Sequence, residues 1–292
     1  MENKAARTAL GPTFQVALEQ WAPESQRLIH DPIAYQFLPA GLKSIVSLCR
    51  LDFFRKALLR LINLGGPGLR GGLLCRKRYI ADQLNLALHA GIHTVVVLGC
   101  GFDSLVYRES CLSSRQVYEV DLPQVIQAKE AVLHQCFGQV PAHVKLVAMD
   151  FDGDDLCRTL RQAGYTANEP AFFIWEGVTQ YLPEGAVRGV FELLQPAAAG
   201  SQLVFTYIRK DFVDGTNLYG QKYLYRQTRL VKQFWKFGLE PEAVGAFLEY
   251  YSWKELAQAG SAEYQQRYLT PLNRSLSAME VERVVHAERI AD

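Results

Sequence analysis

The stretch that decides the fold is Val95-Val-Val-Leu-Gly-Cys-Gly-Phe-Asp-Ser-Leu-Val-Tyr-Arg108, an apolar β-run that breaks into a Gly-x-Gly-x-Asp turn. Asp121 follows about 20 residues after Gly101 and closes the next β-run, Val117-Tyr-Glu-Val-Asp121. Parallel sheets bind nucleosides at the carboxyl ends of their strands, where glycines admit a ligand to the backbone and an acid holds ribose hydroxyls. This spacing therefore predicts a site for an adenosine-type cofactor.

Strand and helix patterns alternate after this point, which predicts an α/β fold with a parallel sheet covered by helices. Prolines mark the starts of two helices, from Pro123 to about His134 and from Pro183 to about Leu194. Val281–Ile290 is a late strand candidate for which a helical alternative stays open. The other predicted strands are Thr94–Leu98, Gln116–Val120, Val144–Ala148, Ala171–Trp175, Gln202–Ile208 and Phe247–Trp253.

The chain up to about residue 90 reads as helical. Predicted helices are an amphipathic stretch at Thr13–Trp21, one that Asp31-Pro32 begins, one over Leu42–Leu64 and one from about Leu74 to His89. The third has a broad apolar face and a basic remainder, so we expect it to pack on the core with its charged side in water. Contact with an anionic substrate or a membrane surface is the alternative.

Composition excludes several classes of protein. The chain has 292 residues, 49% hydrophobic and 21% charged, with a formal net charge of +1, which gives no reason to expect nucleic-acid binding. Its six cysteines are scattered without a Cys-x-x-Cys pair, and its histidines show no metal spacing, so we expect reduced thiols and no metal site. Without an apolar leader or spanning run, a cytoplasmic protein without stable membrane insertion is expected, in an oligomeric state left open.

Ser104 stands where the dinucleotide fingerprint has its third glycine, and this favours a cofactor without a pyrophosphate, such as S-adenosylmethionine, over NAD. An NAD-dependent oxidoreductase stays the less favoured alternative. Asp121 fits ribose binding or, alternatively, capping of the helix that Pro123 begins. After the third strand, Asp150 and Phe151 fit an adenine contact or, equally, a solvated acid-rich loop.

The segment Phe172-Phe-Ile-Trp-Glu-Gly-Val-Thr-Gln-Tyr-Leu-Pro183 is the most distinctive part of the chain. Its apolar strand is predicted to be fully buried and to place Glu176 at the sheet edge. There the carboxylate could hold an ammonium group or orient a substrate. A helix cap or a paired buried acid is the alternative. In Arg76-Lys-Arg78 a bidentate arginine suits a carboxylate ligand, although basic clusters are usually solvated.

In these motifs the chain resembles the leucine carboxyl methyltransferase family of class I S-adenosylmethionine-dependent methyltransferases, and within it a bacterial O-methyltransferase branch. The resemblance begins near Thr8 and rests on three segments in order. They are Leu98-Gly-Cys-Gly-Phe-Asp103 with Arg108, Glu119-Val-Asp-Leu-Pro123 with Lys129, and Glu176-Gly-Val-Thr-Gln-Tyr-Leu182.

The resemblance implies a Rossmann-like, mostly parallel sheet of seven strands. Residues 1–90 would form an N-terminal helical cap and residues 91–292 the methyltransferase domain, with a lid insertion at about 210–245. The aromatic stretch Tyr219–Phe237 within it is expected to be helical and to cover the ligand edge. The expected activity is methylation of a carboxylate or hydroxyl on a small molecule or peptide. The alternative is a non-catalytic protein that binds S-adenosylmethionine and acts through contacts with a partner.

Roles follow from the resemblance position by position. Arg76 would bind the donor's carboxylate, with Arg78 in its place if the helix register differs. Glu176 would bind the donor's amino group, and Tyr181 would position the acceptor. The remaining cofactor-binding positions are Gly99 and Gly101 at the methionine part, Asp121 and the adjoining Leu122 at the ribose, and Asp150 and Phe151 at the adenine.

Overall fold

The computed structural model describes residues 4–150, 156–231 and 234–291, and their central feature is a mixed sheet of seven strands in the order β3-β2-β1-β4-β5-β7-β6. Strands β1 to β5 are mutually parallel, and β7 runs antiparallel to both of its neighbours. The strands are β1 Thr94–Leu98, β2 Gln116–Asp121, β3 Val144–Ala148, β4 Ala171–Trp175, β5 Gln202–Ile208, β6 Trp253–Ala259 and β7 Glu282–Arg289. The predicted α/β class and seven-stranded sheet are confirmed.

Helices cover both faces of this sheet. The first four helices precede its first strand in the sequence. The helices are α1 Lys4–Glu19, α2 Ala40–Leu48, α3 Asp52–Gly65, α4 Leu69–His89, α5 Leu105–Arg108, α6 Pro123–Phe137, α7 Leu156–Gln162, α8 Glu184–Leu194, α9 Lys210–Val213, α10 Lys222–Tyr225, α11 Val244–Glu249 and α12 Ser261–Tyr264. Strand β4 is buried at every position because helices lie on both of its faces. This explains its uninterrupted apolar sequence.

The N-terminal helices share one core with the sheet. Val16 of α1, Leu84 of α4 and Val95 of β1 belong to the same buried apolar cluster. A second cluster on the opposite face of the sheet contains Trp175 and Phe191. The division of the chain at residue 90 therefore stays a prediction, because residues on both sides of it contribute to one core.

The predicted strand Phe247–Trp253 is wrong. Val244, Phe247 and Leu248 lie on the buried side of α11, and Tyr251 follows them in the turn before β6. Their spacing of i, i+3, i+4 and i+7 is that of one face of a helix. The strand was predicted because aromatic residues favour β-structure. The predicted strand Val281–Ile290 is confirmed, as β7.

Three helix predictions also need correction. Asp31 begins a run of turns instead of a helix, and its carboxylate accepts hydrogen bonds from the backbone of Ile33 and Ala34 at 3.0 and 2.8 Å. The predicted helix Leu42–Leu64 is two helices, α2 and α3, separated by a turn at residues 49–51. Within Tyr219–Phe237, only α10 and the π-helical turn Arg226–Val231 are helical among the described residues.

The packing expected for α2 and α3 is found only in part. Leu58 and Ile62 of α3 pack against the core, but Phe53, Leu61 and Leu64 are 77%, 66% and 79% exposed. The expected arrangement of an apolar inner side and a charged outer side therefore holds for only part of this segment. Apolar side chains occupy part of its outer surface as well.

Candidate functional site

The site edge is set by the topology of the sheet. Strand β1 has β2 on one side and β4 on the other, so the chain leaves the carboxyl ends of β1 and β4 toward opposite sides of the sheet. Open α/β sheets form a ligand crevice at this kind of switch point. The three segments singled out in the sequence follow β1, β2 and β4 and therefore meet at this edge.

The turn after β1 needs glycine at two positions. Gly99 and Gly101 have φ values of +71° and +47°, which side chains rarely adopt. A Cβ at Gly99 would lie 2.3 Å from Cγ2 of Val178, two residues after Glu176. The turn after β1 is thus in direct contact with the segment after β4.

Asp121 ties the same turn to β2. Its two carboxylate oxygens each accept one backbone hydrogen bond, from Gly101 N and Leu122 N, both at 2.7 Å. Helix α6 has Leu122 at its N-cap and no side-chain capping bond, so the capping alternative for Asp121 is not what the structure shows. Burial raises the pKa of this carboxyl despite both bonds. A carboxylate has about four acceptor positions, which leaves Asp121 room for further donors such as ribose hydroxyls.

Helix α4 supplies the two basic side chains that bind Glu176 at this edge. Arg76 donates to Glu176 Oε1 at 2.7 Å and Lys77 donates to Oε2 at 3.1 Å. The Lys77 ammonium also donates to Asp103 at 2.9 Å. Arg76 and Lys77 are only 6% and 5% exposed. In this structure Glu176 is therefore a buried acid paired with two cations, as the alternative interpretation predicted. A pair of this kind does not exclude ligand binding, because each group can exchange its partner for a ligand of the same charge.

Sequence reasoning missed Glu282, the second carboxylate on Arg76. It begins β7 and accepts a hydrogen bond from the Arg76 guanidinium at 2.5 Å. Burial disfavours the charge of Arg76, yet Glu282 and Glu176 together raise the pKa of its guanidinium. The available signal was an acid at the start of the predicted strand Val281–Ile290, but nothing local showed which strand β7 would pair with.

Arg78 points away from this edge. It pairs with Asp82 one turn later at 2.9 Å, its side chain is 47% exposed, and it also donates to the backbone oxygen of Leu28. The structure therefore places Arg76, and not Arg78, beside Glu176. Asp103 lies on the side of Arg76, where it pairs with Lys77. Burial would raise the pKa of its carboxyl, but Lys77 and Arg108 hold that pKa well below its ordinary value.

Tyr181 lies at the rim of the site, in a 3₁₀ turn that follows Glu176. Its ring stacks on Phe234, with 5.6 Å between centroids and 28° between planes. Burial raises the pKa of its phenol, and Glu282 adds to this effect, so the hydroxyl keeps its proton near neutral pH. The segment that carries Phe234 falls in the expected lid, whose closing role stays a prediction.

Of the two residues predicted to contact the adenine, only Asp150 lies in the described part of the chain. Asp150 follows β3, is exposed, and stands next to Met149, whose backbone N–H donates to the Asp121 carbonyl at 2.9 Å. Phe151 lies outside the described residues. Asp150 is thus brought to the edge beside Asp121, and the role of the pair stays a prediction.

A narrow crevice adjoins Arg76, lined also by Gly72, Tyr264, Met279 and Glu282. Two of its buried polar atoms, the Tyr264 hydroxyl and Glu282 Oε1, have no hydrogen-bond partner within the described residues. Buried polar atoms are rarely left unpaired, so these two atoms are exceptions that lie next to Arg76. Their position beside the arginine–glutamate pairs extends the polar site beyond the predicted residues.

Two kinds of feature are absent from residues 4–150, 156–231 and 234–291. No group of three or more histidine, cysteine, aspartate or glutamate side chains is arranged to hold a metal ion. Over the same residues, none of the helices has the length and apolar character needed to cross a membrane.

Comparison with known proteins agrees with this architecture. Solved structures with a similar fold include a methyltransferase-like protein of Thermobifida fusca (TM-score 0.57, 18% identity, 82% of this chain and 89% of that one) and a DUF574 protein of Streptomyces avermitilis (TM-score 0.55, 14% identity, 79% and 88%). At these identities the likeness concerns the fold alone.

Sequence relatives are more similar over shorter spans. A protein of Mycobacterium avium, provisionally named an S-adenosyl-L-methionine-dependent methyltransferase, is 36% identical over 138 residues, 47% of this chain and 46% of that one. A similarly named protein of Mycolicibacterium smegmatis is 34% identical over 191 residues, 63% and 60%. The chain thus matches about half the length of these relatives. The family model for leucine carboxyl methyltransferase matches residues 9–195, and the chain belongs to this family.

Proposed function

We propose that this protein is an S-adenosylmethionine-dependent O-methyltransferase that acts on a carboxylate or hydroxyl of a small molecule or peptide. The observation that supports it best is the convergence of three strand ends. Gly99 touches Val178, Gly101 is bonded to Asp121, and Glu176 is held by Arg76, so the three segments form one continuous edge.

The residues present fit the cofactor in charge as well as in position. Three carboxylates (Asp103, Glu176 and Glu282) pair with two cations (Arg76 and Lys77), and Asp121 adds a further carboxylate at the same edge, so negative charge is in excess. S-adenosylmethionine has an amino-acid end with both charges and a sulfonium with one further positive charge. An excess of negative charge therefore complements the net positive charge of this molecule.

Each residue of the edge would have a distinct task. Arg76 would exchange one glutamate for the ligand's carboxylate, because a guanidinium binds carboxylates in a bidentate fork. Glu176 would accept hydrogen bonds from the ammonium group, and Asp121 would use its remaining acceptor positions for the ribose. When bound, the cofactor supplies an electrophilic methyl group.

The protein must also hold the acceptor oxygen in line with the methyl group and exclude water from it. A carboxylate acceptor is already a nucleophile near neutral pH, whereas a hydroxyl acceptor needs a base. The raised pKa of Tyr181 makes its hydroxyl a donor that positions the acceptor and not a base. Carboxylate methylation therefore demands less of this site. We place the reaction in the cytoplasm, where cysteine thiols stay reduced, because the six cysteines form no disulfide in the described part of the chain.

Titration calorimetry with S-adenosylhomocysteine tests the binding part of the proposal. We expect Glu176→Gln and Asp121→Ala each to weaken binding by at least about tenfold, since a charge-assisted hydrogen bond contributes about 1.5–3 kcal/mol. Glu184→Gln is the matched control, because Glu184 is an exposed acid paired with Arg188 on α8. Unchanged affinity in the Asp121→Ala variant would contradict the proposed site.

Transfer of a labelled methyl group from S-adenosylmethionine to a panel of acids, phenols and peptides tests the chemistry. Methyl esters release methanol in mild base and methyl ethers do not, so the label's base lability separates the two acceptor classes. Binding without any transfer would favour the non-catalytic alternative. Stabilisation by NAD alone in a thermal-shift assay would favour the oxidoreductase.

A further inference from the structure

An apolar face on α2 and α3 stands apart from the site. In the described part of the chain, fifteen large hydrophobic side chains are exposed, and seven of them fall within residues 45–64. We call these seven the α2–α3 apolar face: Ile45, Leu48, Leu51, Phe53, Phe54, Leu61 and Leu64. Exposed apolar side chains concentrated in one short segment indicate an interaction site.

The arrangement of α3 shows that this face is separate from the core. Leu58 and Ile62, one turn apart, pack against the core. Phe53, Ala57 and Leu61 follow at i, i+4 and i+8 along another side of the helix, and all three are exposed. The helix therefore uses one apolar strip for folding and presents a second one to the outside.

Basic side chains border the α2–α3 apolar face. Arg50, Lys56 and Arg60 are exposed, and Lys43 and Arg55 lie in the same segment. Asp52 is the only acid between residues 40 and 65, and it pairs with Arg55 at 2.6 Å. This segment carries a net charge of +4, from five cations and one anion, whereas the whole chain carries +1.

We propose that the α2–α3 apolar face rests on an anionic lipid surface, with α3 in the plane of the interface. Phe53, Leu61 and Leu64 would enter the acyl boundary, and Lys56 and Arg60 would contact anionic headgroups. A helix with an apolar side and a basic flank is the arrangement that binds such interfaces. A second copy of the chain is the weaker occupant, because it would oppose one cluster of positive charge with another.

Vesicle sedimentation tests the proposal on the full-length chain. We expect binding to phosphatidylcholine vesicles that contain phosphatidylglycerol and little binding to pure phosphatidylcholine. The triple variant Phe53→Ser/Leu61→Ser/Leu64→Ser should lose at least about tenfold in partitioning, because each lost side chain withdraws apolar area from the lipid. The control Leu86→Ser/Tyr250→Ser/Leu256→Ser removes three exposed apolar side chains elsewhere and should bind like the wild type.

A charge variant separates the electrostatic contribution. Arg50→Gln/Lys56→Gln/Arg60→Gln should weaken binding to anionic vesicles by about fivefold for each residue and about a hundredfold together. Circular dichroism should show unchanged folding, since these side chains are exposed.

Three results would overturn the proposal. The first is that the wild type fails to sediment with anionic vesicles, and the second is that the control triple loses as much binding as the α2–α3 triple. The third is a dimer in light scattering that the α2–α3 triple converts to a monomer, since a second copy would then cover the face. None of these measurements depends on methyl transfer.

Discussion

Replacing Lys129 by methionine is the most direct test of how this fold handles buried charge. Lys129 and Glu119 are 0% and 1% exposed, and their ammonium and carboxylate groups are 2.6 Å apart. The Tyr107 hydroxyl donates to the second carboxylate oxygen. Burial raises the pKa of the Glu119 carboxyl, while Lys129 and Tyr107 oppose that rise.

The expected loss in the Lys129→Met variant is about 3–5 kcal/mol in the free energy of unfolding, as for other buried pairs that lose one partner. Methionine keeps the contacts with the rings of Phe37 and Tyr107, over which the ammonium lies at 6.0 and 5.4 Å. The loss is therefore mainly electrostatic. It arises because the Glu119 carboxylate stays buried with only one donor.

The loss should depend on pH in a defined direction. Without Lys129 the folded pKa of Glu119 rises further above its unfolded value, so folding favours the protonated carboxyl. The stability of the variant relative to the wild type is then highest below the unfolded pKa, about 4.3, and is lost as the pH rises through the folded pKa.

Guanidinium chloride unfolding at pH 8 and pH 5, followed by circular dichroism, measures both effects. The double variant Lys129→Met/Glu119→Gln should recover most of the stability, since removing both charges leaves none unpaired. Lys210→Met is the control, because Lys210 is half exposed, pairs with Asp214 at 2.7 Å and should cost under about 1 kcal/mol. A loss under about 1 kcal/mol in Lys129→Met, equal at both pH values, would refute the reasoning.

Other predictions follow from single contacts. Gly99→Ala should destabilise the fold by at least about 1 kcal/mol in thermal unfolding, and Gly99→Ala/Val178→Ala should recover only part of it, because the positive φ strain persists. Burial lowers the pKa of His286 to about 4, so stability should fall by up to about 3 kcal/mol as the pH drops from about 6.5 to 4. His286→Gln should remove that part of the pH dependence in chemical unfolding. Glu282→Gln should not weaken S-adenosylhomocysteine binding in calorimetry, in contrast to Glu176→Gln, because it frees one side of Arg76; equal losses in both would contradict separate roles.

The sheet was predictable from the sequence because its strands are short apolar runs bounded by turn residues. Strands β1, β3, β4 and β5 begin and end at the predicted residues, and β2 is one residue longer. The failed strand at Phe247–Trp253 shows the limit of this reasoning. Aromatic residues favour strands by propensity, yet their spacing there suits a helix face, and burial on one side of α11 decided the outcome.

The carboxylate of Glu282 was beyond sequence reasoning for a topological reason. Strand β7 is last in the chain but inserts between β5 and β6, antiparallel to both. Its first residue therefore reaches the edge at which the parallel strands end, opposite Ile208 of β5. A local pattern reveals a strand but not its neighbours, so a residue contributed by an out-of-order antiparallel strand becomes visible only in the fold.

The motifs that carry the family resemblance contain two physical kinds of residue. Gly99, Asp121 and Glu176 face the edge. Arg108 and Lys129 instead brace the backbone behind it, through 2.8 and 2.6 Å ion pairs with Asp31 and Glu119. Motif spacing alone cannot separate the two, because both kinds follow the same strand ends. The separation has a measurable consequence: bracing residues should change ligand affinity only to the extent that they lower stability, whereas edge residues should change affinity by more than any loss of stability explains.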